Sequence, residues 1–167
     1  MKTSHCKRIL ALDIHPLSFG FVVVEEHDRL LDWGVRSFRH GVNAVKIPMS
    51  RKLAWLLDEY KPGVLLVKKP TNGISRRMKM IATLATANHI QLRTISRESI
   101  KRAFPQPTQN KHQMAQAVAD HFPSLSSYVP PKRKPWKGEH YRTSVFEAAA
   151  LGLTYFAPRV SGDDAKR

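Results

Sequence analysis

The sequence predicts an α/β fold, a mixed five-stranded sheet in βββαβαβα order flanked by helices, and three observations carry that reading. The chain opens on three runs of alternating or β-branched aliphatic residues joined by short polar links. Segments of helical periodicity then alternate with short apolar runs, the pattern of strands connected through helices. The last third is helical apart from one proline-rich stretch. A chain of 167 residues buries about 70% of its unfolded surface, enough for one core. The expectation is a single domain over residues 1–160 and a disordered tail at 161–167.

Arg8 to Ile14 (RILALDI) reads as the first strand, and after His15-Pro16-Leu17-Ser18 the run Phe19 to Val24 forms a hairpin with it. Leu30 to Phe38 follows Glu25-Glu26-His27-Asp28 and is expected as a third, antiparallel strand, the two glutamates lying at the solvated end of the second. Pro48 precedes a helix over Ser50 to Tyr60, where Leu53, Leu56, Leu57 and Tyr60 share a face, and Pro62-Gly63 ends it before the strand Val64 to Val67. Met78, Ile81, Ala82 and Ala85 set a helix over Ser75 to Ala87, with exposed apolar residues expected around Met78 to Ala85. Gln91 to Ile95 is the fifth strand. Helices over Arg97 to Ala103, Lys111 to Phe122 and Ser144 to Phe156 complete the chain, and Pro123 to Tyr141 is expected as loop.

Lys and Arg number 28 against 13 Asp and Glu, a net charge of +15. Such an excess points to a polyanionic partner. The apolar runs are too short to span a bilayer, no secretory leader is visible, and the lone Cys6 suits a reducing compartment, so the expected location is the cytoplasm, away from membranes. No zinc-ligand spacing occurs. An actin-like phosphotransferase would need glycine-rich phosphate loops, and the turn His15-Pro16-Leu17-Ser18 lacks the glycine.

In this topology the first strand is central and its carboxyl end faces a crevice. Asp13, between Leu12 and Ile14, lies near that end. A carboxylate there is costly to bury unless paired or metal-bound, which makes it a site candidate; capping of the turn through Ser18 is the plainer alternative. His15, His112 and His121 read as turn or surface residues.

Ile9-Leu10-Ala11-Leu12-Asp13 with a turn and Gly20-Phe21-Val22-Val23-Val24 resembles the RuvC-like branch of the RNase H-like nucleases. The resemblance continues through Pro62 to Pro70, Ser96-Arg97 to Phe104, Lys111 to Phe122 and Ser144 to Thr154, and so spans most of the chain. It implies an RNase H-like sheet, a Holliday junction-type endonuclease ancestry and often a two-fold dimer. The family's first-strand aspartate matches Asp13, and the acid of its last helix matches Glu147. Its fourth-strand glutamate falls at Lys68, and its other last-helix acid at Ser144, so the acidic set is degenerate.

An active enzyme of this kind would hold Mg²⁺ or Mn²⁺ with Asp13 and Glu147 and use Lys111, at a helix start, against the transition-state charge. A non-catalytic binder needs no cofactor. Two hard cations and a phosphate ask for several carboxylates, and two are few. Lys68 is expected to pair with Asp13 in a metal's place, or alternatively to meet the scissile phosphate. If the last helix starts early, His140, Ser144 and Glu147 share a face and His140 could orient water or hold a metal; a solvated loop histidine is the alternative.

The basic residues fall in two clusters. Lys68, Lys69, Arg76, Arg77 and Lys79 give five cations without an acid, and Asn72-Gly73 and Ser75 lead into a helix N-terminus fit for a phosphate. Lys132, Arg133, Lys134, Lys137 and Arg142 surround Trp136 and Tyr141, a stacking surface for an unpaired base. The leading expectation is a nucleic-acid-binding protein for branched DNA or structured RNA with an impaired metal site. The alternative is an active Mg/Mn-dependent endonuclease.

Overall fold

The structure is a computed structural model that describes residues 7–38, 47–71, 73, 75–104 and 110–157. β1 (Arg8–Ile14), β2 (Ser18–Glu25) and β3 (Arg29–Ser37) form an antiparallel meander. The chain then crosses through α1 (Met49–Tyr60) to β4 (Val64–Lys68), which lies parallel to β1. α2 (Arg76–Ala87) leads to β5 (Gln91–Ile95), parallel to β4, and the sheet order is β3-β2-β1-β4-β5. β1 is central, as the element order requires. α3 (Arg97–Ala103), α4 (Lys111–His121) and α5 (Thr143–Phe156) follow.

Helices cover both faces, so β1, β2 and β4 are apolar along nearly their whole length rather than on alternate residues. On one face Ile9, Ala11, Val22 and Leu66 meet Val145, Phe146 and Ala149 of α5 and Val118 of α4. On the other, Leu10, Leu12, Phe21 and Val67 meet Leu53 and Leu56 of α1 and Ile81 and Ala85 of α2. α5 is buried continuously from Thr143 to Gly152, a helix enclosed on all sides.

Short polar side chains start three helices. Ser75 accepts the Met78 N–H, Ser96 the Ser99 N–H and Asn110 the Gln113 N–H. α5 has no side-chain cap; its first turn continues a preceding one in which Thr143 donates to His140 O and Ser144 to Tyr141 O.

Three expectations are corrected. Pro123–Tyr128 is a 3-10 helix rather than loop, because Pro123 pre-sets its first turn and Leu125 is buried beneath it. The apolar residues of α2 between Met78 and Ala85 are largely turned inward: Ile81 and Ala85 belong to the core, and Met78, Met80 and Leu84 are half-buried against it. Glu25 is buried and paired with Arg8 and Arg29 rather than solvated. No helix among the described residues is long and apolar enough to cross a membrane. The tail 161–167 and Asn72 lie outside the described residues.

Candidate functional site

The site lies where β1 and β4 end side by side and α5 begins. Leu12 pairs with Val67 in the parallel register, so Asp13 and Lys68 are each one step beyond the last pair. Strand alternation turns both toward the α5 face, with Ala11 and Leu66. Asp13 sits opposite Gly20 on β2. A Cβ at Gly20 would fall 2.4 Å from the Ser144 carbonyl carbon, so only glycine lets the first turn of α5 rest against the strand. That contact brings Glu147, in the next turn of α5, over the strand ends.

Six ionisable side chains then meet. The His15 Nε2–H donates to Asp13 Oδ2 at 2.6 Å. Glu147 lies 3.9 Å from the Lys68 ammonium and 3.6 Å from that of Lys111, the first residue of α4. Lys111 also donates to Glu139 in the loop before α5. Asp13 and Glu147 are both buried, at 8% and 9% exposure.

Burial pushes the Glu147 carboxyl above its ordinary value; Lys111 and Lys68 oppose this, while the charges of Asp13 and Glu139 add to it. Burial works against the Lys111 charge, but the hydrogen bond to Glu139 and the charges of Glu147, Glu139 and Asp13 outweigh it and raise its pKa. His15 is raised by its hydrogen bond to Asp13, against partial desolvation, with the Asp13 and Glu139 charges adding and Lys111 opposing. These are the influences of one electrostatically coupled cluster.

The expected ion pair between Lys68 and Asp13 is therefore replaced. Asp13 takes His15, which strand alternation carries to the same face two residues on, and Lys68 turns to Glu147. His140 is not on α5, which starts at Thr143. It lies in the preceding turn, where its ring stacks on Tyr141 at 4.7 Å and its Nδ1 accepts the Arg142 N–H, so the shared helix face with Ser144 and Glu147 does not form. Among the described residues no three His, Cys, Asp or Glu side chains converge as a metal-holding group.

Sequence reasoning missed His15 as a partner of Asp13 and Glu139 as a partner of Lys111. The spacing of two along an extended strand was a usable signal for the first. No local pattern links Lys111 to Glu139, 28 positions apart.

The basic clusters flank this centre. Arg77, in the first turn of α2, donates to Pro16 O at 2.7 Å and so braces the turn that carries His15; Lys69, Arg76 and Lys79 are exposed beside it. On the other side, Lys132, Arg133, Lys134, Trp136 and Lys137 are all exposed in the loop that ends at Glu139. Lys134 lies 5.8 Å from the Trp136 ring centre. Arg142 stacks on Tyr128 at 4.6 Å and lies 5.7 Å from the Tyr141 ring, which makes it a brace for the loop's end as well as a cation.

The order of the five-stranded mixed sheet and its flanking helices give an α/β fold like the RNase H-like fold of RuvC. Among solved structures, Thermus thermophilus RuvC is similar at TM-score 0.58, with 14% identity over 88% of this chain and 92% of its own. The same protein in complex with Holliday junction substrate aligns at TM-score 0.57, with 13% identity over 88% of this chain and 90% of that one. Fowlpox virus Holliday junction resolvase aligns at 0.49, with 16% identity over 89% and 96%. These are likenesses of fold. No family model matches the chain, and no curated protein is detectably similar in sequence.

Proposed function

We propose that the chain binds nucleic acid, branched DNA above all, across the carboxyl end of its sheet, and that its ancestral metal site has become an ion-pair network. One observation carries this reading: two ammonium groups, Lys68 and Lys111, converge on Glu147, beside the strand end that presents Asp13. A pair of Mg²⁺ ions needs a surplus of carboxylate oxygens there, and this donor set does not fit them. Lysines in a crevice flanked by further cations suit phosphate oxygens instead. The similarity in fold to a RuvC solved with a Holliday junction supports branched DNA as the partner.

A second reading keeps the chemistry. Asp13 and Glu147 are both buried and electrostatically coupled at the place where the family resemblance puts metal ligands. On this reading the chain is a Mg²⁺- or Mn²⁺-dependent endonuclease with a reduced acidic set, and a bound metal would have to displace Lys68 and Lys111 from Glu147.

One experiment separates the two. Purified protein and an Asp13→Asn variant are incubated with labelled four-way-junction, duplex and single-stranded DNA and matching RNA, with and without Mg²⁺ or Mn²⁺. Salt-sensitive binding that favours the junction, with no cleavage and no metal dependence, is expected. Metal-dependent cleavage lost in the variant would establish the second reading, and absence of binding to every probe would overturn both.

A further inference from the structure

Beside the acid cluster, and separated from it by the Lys111–Glu139 pair, a cleft of about 700 Å³ opens between the start of α4 and the loop before α5. We propose that this cleft takes a single unpaired nucleotide of the bound strand, so that the nucleic acids selected are those that can offer one. The inference rests on the nucleic-acid reading above and names what within a nucleic acid is recognised.

The volume lies within the range of sites that enclose small organic ligands and accommodates a base with its sugar and phosphate. Its walls combine two chemistries. Pro130 and Pro131 supply a flat apolar surface, and the rim carries Lys132, Arg133 and Lys137. The one carboxylate in the lining, Glu139, is already engaged by Lys111. Apolar walls with a cationic rim match a nucleotide, whose base faces are apolar and whose phosphate is anionic, better than they match an inorganic anion or a neutral apolar molecule.

The helix end contributes in the same sense. α4 carries no acid in its first turn, and Asn110, Lys111 and His112 at its start line the cleft, so its partial positive charge adds to that of the basic rim. The opposing wall is held by its own hydrogen bonds, Arg133 Nε to Lys137 O at 2.8 Å and Lys137 N–H to Lys134 O at 3.0 Å. A wall already hydrogen-bonded loses little freedom on binding. Trp136, 77% exposed on the same loop, offers its ring to a neighbouring base once one nucleotide has left the stack.

A paired base cannot enter. Its hydrogen-bonding edge is occupied by its partner and its faces by its neighbours, so entry requires unstacking and unpairing, which are costly in an intact duplex and cheap at a gap, bulge or junction. The cleft thereby discriminates between structures without reading sequence.

The test compares two fluorescently labelled DNA duplexes of the same sequence, one fully paired and one with a three-nucleotide bulge, by anisotropy at fixed salt. Wild type is set beside a Lys132→Ser, Lys137→Ser double variant, both positions exposed and free of core contacts. Wild type is expected to bind the bulged duplex at least tenfold more tightly, and the variant to lose more affinity for the bulged duplex than for the paired one, so that the preference falls to twofold or less. Equal wild-type affinities, or a preference that survives in the variant, would overturn the inference while leaving nucleic-acid binding standing. Failure to bind either duplex would overturn both.

Discussion

Each end of the sheet holds a buried glutamate set between two basic side chains, and the two are built differently. At the end where β1 begins, Glu25 is 6% exposed and meets Arg8 at 2.7 Å and Arg29 at 3.0 Å. Arg8 also donates to Tyr60 O, and the Tyr60 hydroxyl donates to Asp32 at 2.7 Å; burial, with that bond and the Asp32 charge adding, pushes the phenol up to about 12. Where β1 ends, Glu147 is 9% exposed and its two lysines stand 3.6 and 3.9 Å away, beyond hydrogen-bond reach. Arginines lock a carboxylate in a fixed fork, whereas lysine ammoniums remain mobile point charges. The first arrangement is a closed structural clamp. The second holds a buried carboxylate between two ammonium groups at ion-pair distance without a hydrogen bond, and Lys111 directs its hydrogen bond to Glu139.

The largest effect expected is at the contact that makes the second region. Gly20→Ala forces a methyl into the Ser144 backbone, and a loss of about 3 kcal/mol or more in urea unfolding is expected, since backbone cannot yield as a side chain does. A loss below about 1 kcal/mol would mean that α5 can withdraw and that this contact does not position Glu147.

Next come the two glutamates. Glu25→Ala should cost about 1–3 kcal/mol, less than a fully buried pair because both arginines are partly exposed. Glu147→Gln should lie within about 1 kcal/mol of wild type or gain stability at neutral pH. The sign follows from the raised carboxyl: its charged form is penalised in the folded state, so the penalty is absent below the unfolded value of 4.5, grows as pH rises through it, and is complete above the folded pKa. The advantage of Glu147→Gln should therefore vanish in acid. Equal losses for the two variants at neutral pH would erase the distinction between the regions.

The smallest effect concerns His15. Its folded pKa is raised, so the stability it adds is fully present below the unfolded value of 6.5 and is lost as pH rises through the folded one. The stability lost in His15→Ala should shrink between about pH 6 and pH 9; thermal unfolding at the two ends reads it, and a constant difference would remove His15 from the charge network.

Much of the framework was legible along the chain because it depends on local chemistry. Aliphatic runs built the five strands, Ser75 marked the start of α2, and Asp13 stood out as a charge near the end of an apolar strand. The helical turn at Pro123–Tyr128 was missed because Pro123 and the prolines that follow it, Pro130, Pro131 and Pro135, read as breakers, while the burial of Leu125 beneath it is a tertiary fact. His140 was placed on α5 in one reading because helix starts without a side-chain cap leave no local mark.

By itself the sequence determined the order of elements and the strong positive charge. Only the tertiary structure decided which charges meet. Lys111 comes to Glu139 and Glu147, and Lys68 to Glu147 rather than Asp13, through the packing of α4 and α5 on the sheet and the close approach that Gly20 permits. Periodicity reports the face a residue occupies. The partner across a crevice depends on angstrom-scale distances between elements far apart in the chain, to which Coulomb energies are steeply sensitive where water is excluded.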